Sequence, residues 1–183
     1  MKKAAKKAGF RPYQLDWLAK FGPLATANER RFGVPRLFTL AQQLVESSWS
    51  LAKLGNNFFG IKADPKWTGP SNVQRTHEYD AAGREIPTAA AFRAYATPAD
   101  AYVGHATFLR TQPRYRAAFQ TKDPVAFAEA LARAGYATDP NYFPKLRELI
   151  FELSGQSIPA SAPVGAGALL LLGGLAYWLS RRK

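Results

Sequence analysis

The sequence of 183 residues contains no cysteine, two histidines and one methionine, and its 13 acidic residues are outnumbered by 25 lysines and arginines. The absence of cysteine excludes disulfides, thiolate zinc sites and cysteine nucleophiles together, and it leaves the redox compartment open. The two histidines, His77 and His105, stand 28 positions apart and outside any His-Glu-x-x-His spacing, so the usual zinc hydrolase ligand sets are missing and no metal site or cofactor is expected. No Gly-x-Ser-x-Gly elbow is present for a serine hydrolase. Nor is there a basic stripe interleaved with aromatics, so nucleic acid is not an expected partner.

The formal charge of +12 is unevenly placed. Lys2, Lys3, Lys6 and Lys7 carry four of these charges, and Arg181, Arg182 and Lys183 carry three. Residues 8–180 keep 18 basic and 13 acidic side chains, a surplus of five, which suits a polyanionic partner such as cell-wall glycan or a phospholipid surface. The charged start MKKAAKKAGFRPYQ lacks the apolar core of a secretion signal. Near the other end, Ala162 to Leu179 is an uncharged run of 18 residues with eight Gly or Ala and six Leu. As a helix it would be roughly 27 Å long, close to a hydrocarbon core of about 30 Å, with Tyr177 and Trp178 at the interface and the basic end on the cytoplasmic side. The expected organisation is a basic tail at 1–12, a domain at 13–153, a small polar linker at 154–161, a transmembrane helix at 162–180 and a basic tail at 181–183. The implied location is membrane-anchored.

Inside the domain, helix signals dominate. Val34-Pro35, Thr97-Pro98, Asp123-Pro124 and Asp139-Pro140 each place proline where a first helical turn begins, and Thr97 with Asp100 forms a loose capping box. A first helix is predicted over Tyr13 to Arg31, kinked at Gly22-Pro23. After Pro35, Leu37, Leu40, Ala41, Leu44 and Ser48 fall on one helical face. The helix after Asp123 should stop near Gly135, and Asp139 is read as a cap. Val73 to Tyr79 alternates, Asp80 to Gly83 reads as a turn, and Ala89 to Tyr95 returns as a second strand. The expected fold is mainly α with a small β-hairpin lobe, a lysozyme-like α+β arrangement with two lobes facing across a groove, plus the C-terminal transmembrane helix.

With metal, thiol and serine chemistries removed, carboxylate chemistry remains, and glycoside hydrolysis runs on carboxylates alone. Glu46 is the candidate acid. It stands near the end of the apolar helix in Leu40-Ala-Gln-Gln-Leu-Val-Glu-Ser-Ser-Trp49, where partial desolvation favours a retained proton. Trp49, Phe59 and Trp67 are candidates to stack on sugar rings or to pack in the core.

These residues resemble glycoside hydrolase family 73, the endo-β-N-acetylglucosaminidases. The blocks are Ala41–Trp49, Asn56-Asn57-Phe58-Phe59-Gly60-Ile61-Lys62, Lys66-Trp67-Thr68-Gly69, Thr76-His77-Glu78-Tyr79, Phe92-Arg93-Ala94-Tyr95, Gln112-Pro113-Arg114-Tyr115 and Ala134 to Tyr142, spanning about Tyr13 to Leu153. The resemblance implies that Glu46 protonates the leaving glycosidic oxygen and that Glu78, on the hairpin, activates water. It implies that Tyr115 and Tyr136 orient the N-acetyl group or stabilise the sugar cation. Asn57 either orients Glu46 or serves a turn. The implied reaction is hydrolysis of the β-1,4 bond between N-acetylglucosamine and N-acetylmuramic acid in peptidoglycan glycan strands, by a phage lysis enzyme or a virion enzyme that opens the wall. The alternatives are a muramidase or lytic transglycosylase acting on the other glycosidic bond, or a non-catalytic wall-binding virion protein. One departure stands out: the family pattern Glu-Ser-Gly-Trp-Gly is here Glu46-Ser47-Ser48-Trp49-Ser50, with serines narrowing the space near Glu46.

Overall fold

The computed structural model describes residues 9–79, 85–137, 139 and 141–155, with backbone alone for 76–79 and 85. Among the described residues are five α-helices, two 3-10 segments and one hairpin. Helix α1 (Pro12–Phe32) opens with the Gln14 side chain accepting from the Arg11 N–H at 2.8 Å and ends on Gly33, whose φ of 72° closes the last turn. It continues through Pro23 as one helix over its 21 residues. The helix expected over Tyr13 to Arg31, with a kink at Gly22-Pro23, thus spans Pro12–Phe32 without interruption. The faces on either side are buried by Trp17, Leu18, Phe21 and Ala25, so tertiary packing outweighs the bond that proline cannot donate.

Helix α2 (Arg36–Ser47) runs through the centre of the molecule. Seven consecutive residues, Phe38 to Leu44, are buried. The sequence pattern implied one buried face; the structure corrects this, because α2 is flanked on both sides. Phe38 and Ala41 point into a cluster with Ala106, Leu109, Phe127, Leu131, Leu146 and Ile150. Leu40 and Leu44 point into a second cluster with Trp17, Phe21, Phe58, Phe59 and Tyr102. The other walls are α3 (Pro98–Thr111), a 3-10 segment (Pro113–Gln120), α4 (Pro124–Arg133) and α5 (Tyr142–Ser154).

The caps follow the sequence closely. Thr97 Oγ1 accepts from the Asp100 N–H at 3.1 Å while Asp100 Oδ2 accepts from the Thr97 N–H at 3.0 Å. Asp123 Oδ1 accepts from the Ala126 N–H at 2.7 Å, and Gly135, with φ 71°, follows the end of α4. Helix α5 begins two residues beyond the expected Pro140, after Asn141, with Asp139 Oδ1 accepting from the Asn141 N–H at 2.8 Å. Strands β1 (Ser71–Tyr79) and β2 (Glu85–Arg93) pair antiparallel, with Ser71 opposite Arg93 and Glu78 opposite Ile86. The return strand thus starts four residues before the expected Ala89 and tolerates Pro87, because in a two-stranded ribbon one side of each strand needs no ladder bonds. Among the described residues no helix is long and apolar enough to cross a membrane. The expected membrane helix at 162–180 lies outside them.

Candidate active site

The last turn of α2 carries Glu46 to the floor of a cleft of about 380 Å³ between the helical lobe and the base of the hairpin. Phe59, Gly60, Tyr115, Tyr136 and Tyr142 line it, with Lys62, Asp64 and Arg114 at its charged margin. Glu46 is half-buried. Its Oε1 accepts from the Tyr142 hydroxyl at 3.4 Å, and a methyl group on Gly60 would stand 3.0 Å from Oε2. With φ at 63°, Gly60 lets the backbone pass directly over the carboxylate.

Asn57 makes that approach possible. Its Nδ2 donates to Ile61 O at 2.9 Å and its Oδ1 accepts from the Ile61 N–H at 3.0 Å, pinning the turn that contains Gly60. Of the two roles expected for Asn57, the turn is the one its bonds describe. Phe59 is 3% exposed and stacks on His105 with ring centroids 4.0 Å apart. Its ring is therefore a packed wall of the cleft. Tyr115, 1% exposed, lies 5.6 Å from Tyr136, which lies 5.9 Å from Tyr142. Burial raises the Tyr115 hydroxyl pKa, against the lowering influence of Arg114. The Tyr136 and Tyr142 hydroxyls are also held well above the ordinary phenol value, first by burial and then by neighbouring groups that include Glu46. All three tyrosines therefore carry their protons and can donate.

Four of the sequence candidates, Glu46, Phe59, Tyr115 and Tyr136, meet in one cleft. Trp49 does not line it: its ring packs behind the turn that carries Glu46, against Phe10, Tyr13 and Trp17, 5.2 Å from the last. Trp67 supports the hairpin base instead, donating from Nε1 to Pro70 O at 2.9 Å beneath the Arg93 guanidinium at 4.5 Å. Arg93 in turn binds Asp64 at 2.6 Å, and the N–H of Lys66 together with Arg93 holds the Asp64 carboxyl below its usual pKa. Glu78 occupies its expected strand position, and its side chain lies outside the described structure. Sequence reasoning passed over Tyr142 and Gln42. Tyr142 closes the last motif block, and Gln42 lies one helical turn before Glu46, which puts it on the same side of α2.

A sequence model of the glucosaminidase family, described as mannosyl-glycoprotein endo-beta-N-acetylglucosaminidase, matches residues 22–154. This chain belongs to the glucosaminidase family. It is 34% identical over 158 residues to the peptidoglycan hydrolase FlgJ of Salmonella typhimurium, an alignment covering 82% of this chain and 50% of that protein. The chain thus spans about half the length of this family relative. A truncated glycoside hydrolase domain of the same FlgJ superposes with a TM-score of 0.64 at 35% identity, covering 79% of this chain and 99% of that one. A peptidoglycan hydrolase mutant from Sphingomonas sp. A1 superposes with a TM-score of 0.67 at 34% identity, covering 74% and 91%. The glucosaminidase fold is mainly helical with a small two-stranded antiparallel sheet, the lysozyme-like arrangement expected from the sequence.

Proposed function

We propose that the protein is a peptidoglycan hydrolase that cleaves the β-1,4 bond between N-acetylglucosamine and N-acetylmuramic acid, with Glu46 as general acid. The observation that carries this reading is the placement of the Glu46 carboxyl in an open cleft walled by tyrosines, within the domain shared with peptidoglycan hydrolases. In the bond-breaking step the proton leaves Glu46 for the glycosidic oxygen, and the tyrosine hydroxyls face the sugar that gains positive charge. Glu78 is proposed to activate water from the hairpin. The hydrophobic run at 162–180 is proposed to anchor the domain to a membrane, as suits a phage lysis enzyme or a virion enzyme.

Mass spectrometry of digested wall tests the reading. Fragments ending in reducing N-acetylglucosamine are expected. Reducing muramic acid would indicate a muramidase, anhydro-muramic acid a lytic transglycosylase, and absence of product a binding protein. Glu46→Gln should lower turnover by about 10² to 10⁴-fold with little change in melting temperature, because the side chains match in shape but Gln has no proton to give. A substrate with a good leaving group should restore part of the loss. Near wild-type activity on whole wall would remove Glu46 from the mechanism.

A further inference from the structure

Behind the cleft, a line of buried polar groups reaches Glu46 from the core. His105 on α3 is wholly buried between the rings of Phe38 and Phe59. Its Nε2 lies 2.8 Å from Gln42 Oε1, an oxygen that can only accept, so the imidazole hydrogen sits on Nε2. Burial depresses the His105 pKa to about 3, and the ring is neutral with that single hydrogen. Gln42, itself fully buried, then turns both Nε2 hydrogens the other way, toward the hydroxyl oxygens of Tyr136 and, at 3.1 Å, Tyr142. Each tyrosine oxygen thus accepts from Gln42 and sends its own proton elsewhere. That of Tyr142 goes to Glu46 Oε1 at 3.4 Å. That of Tyr136 is left facing the cleft that its ring lines.

The opposite orientation of the Gln42 amide is disfavoured. Nε2 of His105 would then accept, and its hydrogen would move to Nδ1, which is buried and has no hydrogen-bond partner. An orphaned N–H is a rarer fault in folded proteins than an unmet acceptor. In that orientation both tyrosines would also donate to Gln42, and neither would donate to Glu46 or to a sugar.

We infer that Gln42, held in one orientation by His105, is a positioning residue that makes Tyr142 a donor to Glu46 and Tyr136 a donor to an oxygen of the bound sugar. This inference rests on the proposed hydrolysis by Glu46. It assigns work to two side chains that touch neither substrate nor the reacting atoms. Glu46 feels the setting through Tyr142; among the described residues the other polar groups at its cleft are Lys62, Asp64, Arg114, Tyr115 and Tyr136, and Lys53 Nζ donates to the Glu46 carbonyl oxygen at 3.2 Å.

The test compares full-length wild type with Gln42→Met, His105→Leu, His105→Gln and Tyr142→Phe on purified peptidoglycan. Turnover, its substrate dependence, its pH profile and the melting temperature are all measured. Gln42→Met should lower kcat about 10-fold or more, toward the ~100-fold that a small misplacement of catalytic groups costs, while KM stays within about twofold. Its alkaline limb should also move to higher pH, since a Tyr142 hydroxyl no longer pinned by Gln42 donates less well, and a carboxylate with a weaker donor holds its proton more tightly. His105→Leu should shift kcat and the limb in the same directions. His105→Gln, which keeps an N–H for Gln42 Oε1, should recover part of that loss. A folded Gln42→Met with wild-type kcat and limb, or His105→Gln no better than His105→Leu, would overturn the inference. If the core variants fail to fold, Tyr142→Phe decides: an upward shift of the limb supports the chain, and an unmoved limb sinks it. Should wild type release no fragments, the hydrolase reading fails on its own. Nitrogen NMR of His105 then still judges the chain, with the Nε2–H tautomer expected and the Nδ1–H tautomer fatal to it.

Discussion

The position of Glu46 was legible: the sequence put it near the end of an apolar helix, three residues before a tryptophan, and its carboxyl lines the cleft. Gln42 and His105 were not, because their meaning lies in a hydrogen-bond direction that only appears when α2 and α3 are brought together. His105 was weighed only as a metal ligand, and its neighbours turn out to be two phenyl rings and an amide. The serine for glycine departure has a structural content that the sequence did not convey. Ser48 sits at φ 53° and ψ −153°, a region that glycine occupies readily and a side chain with Cβ does not. Its N–H still bonds to Leu44 O at 2.8 Å, so the helix ends as it would with glycine and the backbone carries the strain. Ser48→Gly is therefore expected to stabilise the fold by about 1 kcal/mol, read as a higher urea midpoint at unchanged slope. A midpoint that fell would show that the serine side chain makes a compensating bond.

Among elements, the caps were the most readable, since each is written in four consecutive residues and needs no distant partner. Thr97 and Asp100 satisfy each other's backbone N–H groups, as their spacing implied. Thr97→Ala should cost about 1 kcal/mol, lowering the melting temperature by roughly 2–4 °C, with kcat unchanged because α3 starts away from the cleft. Loss of activity without loss of stability would mean that the start of α3 bears on the cleft after all. Strand and helix limits were less readable where tertiary contacts extend or delay an element. Strand β2 reaches back to Glu85 because β1 offers it a partner at every position, and α5 waits until Tyr142 because Asp139 caps the turn before it. Buried neighbours on both sides of α2 likewise could not be seen from one helix alone.

At the scale of the whole molecule, burial of neutral His105 ties stability to pH. The folded protein holds its pKa near 3, whereas an unfolded chain protonates the ring near 6.5. The unfolded state therefore binds more protons between these values, and stability falls as pH drops from about 6.5 toward 3, by roughly 1.4 kcal/mol per unit at most. Urea midpoints of wild type and His105→Gln should converge over this window. Parallel pH dependence in the two proteins would show that His105 is not the source. Asp64, whose pKa is lowered in the fold, loses its contribution only below its unfolded value near 4, so the upper part of the window is free of it. The tail gives a separate expectation: cutting after about Ser157 should leave a soluble domain that still digests wall, and full-length protein recovered without detergent would remove the anchor. A last consequence follows from the pairing at the hairpin base. Arg93 N–H bonds to Ile61 O at 3.0 Å and Ala63 N–H to Ala91 O at 2.8 Å, so β2 is hinged to the segment that begins beside Gly60. Gly60 in turn stands beside Glu46 Oε2, close enough that an added methyl group would lie 3.0 Å from it. The nine-residue strands make a lever arm of roughly 27 Å whose short end is this segment. A pull on the hairpin is thus passed to the segment at Gly60, so the hairpin and the turn beside the Glu46 carboxyl form one mechanical linkage.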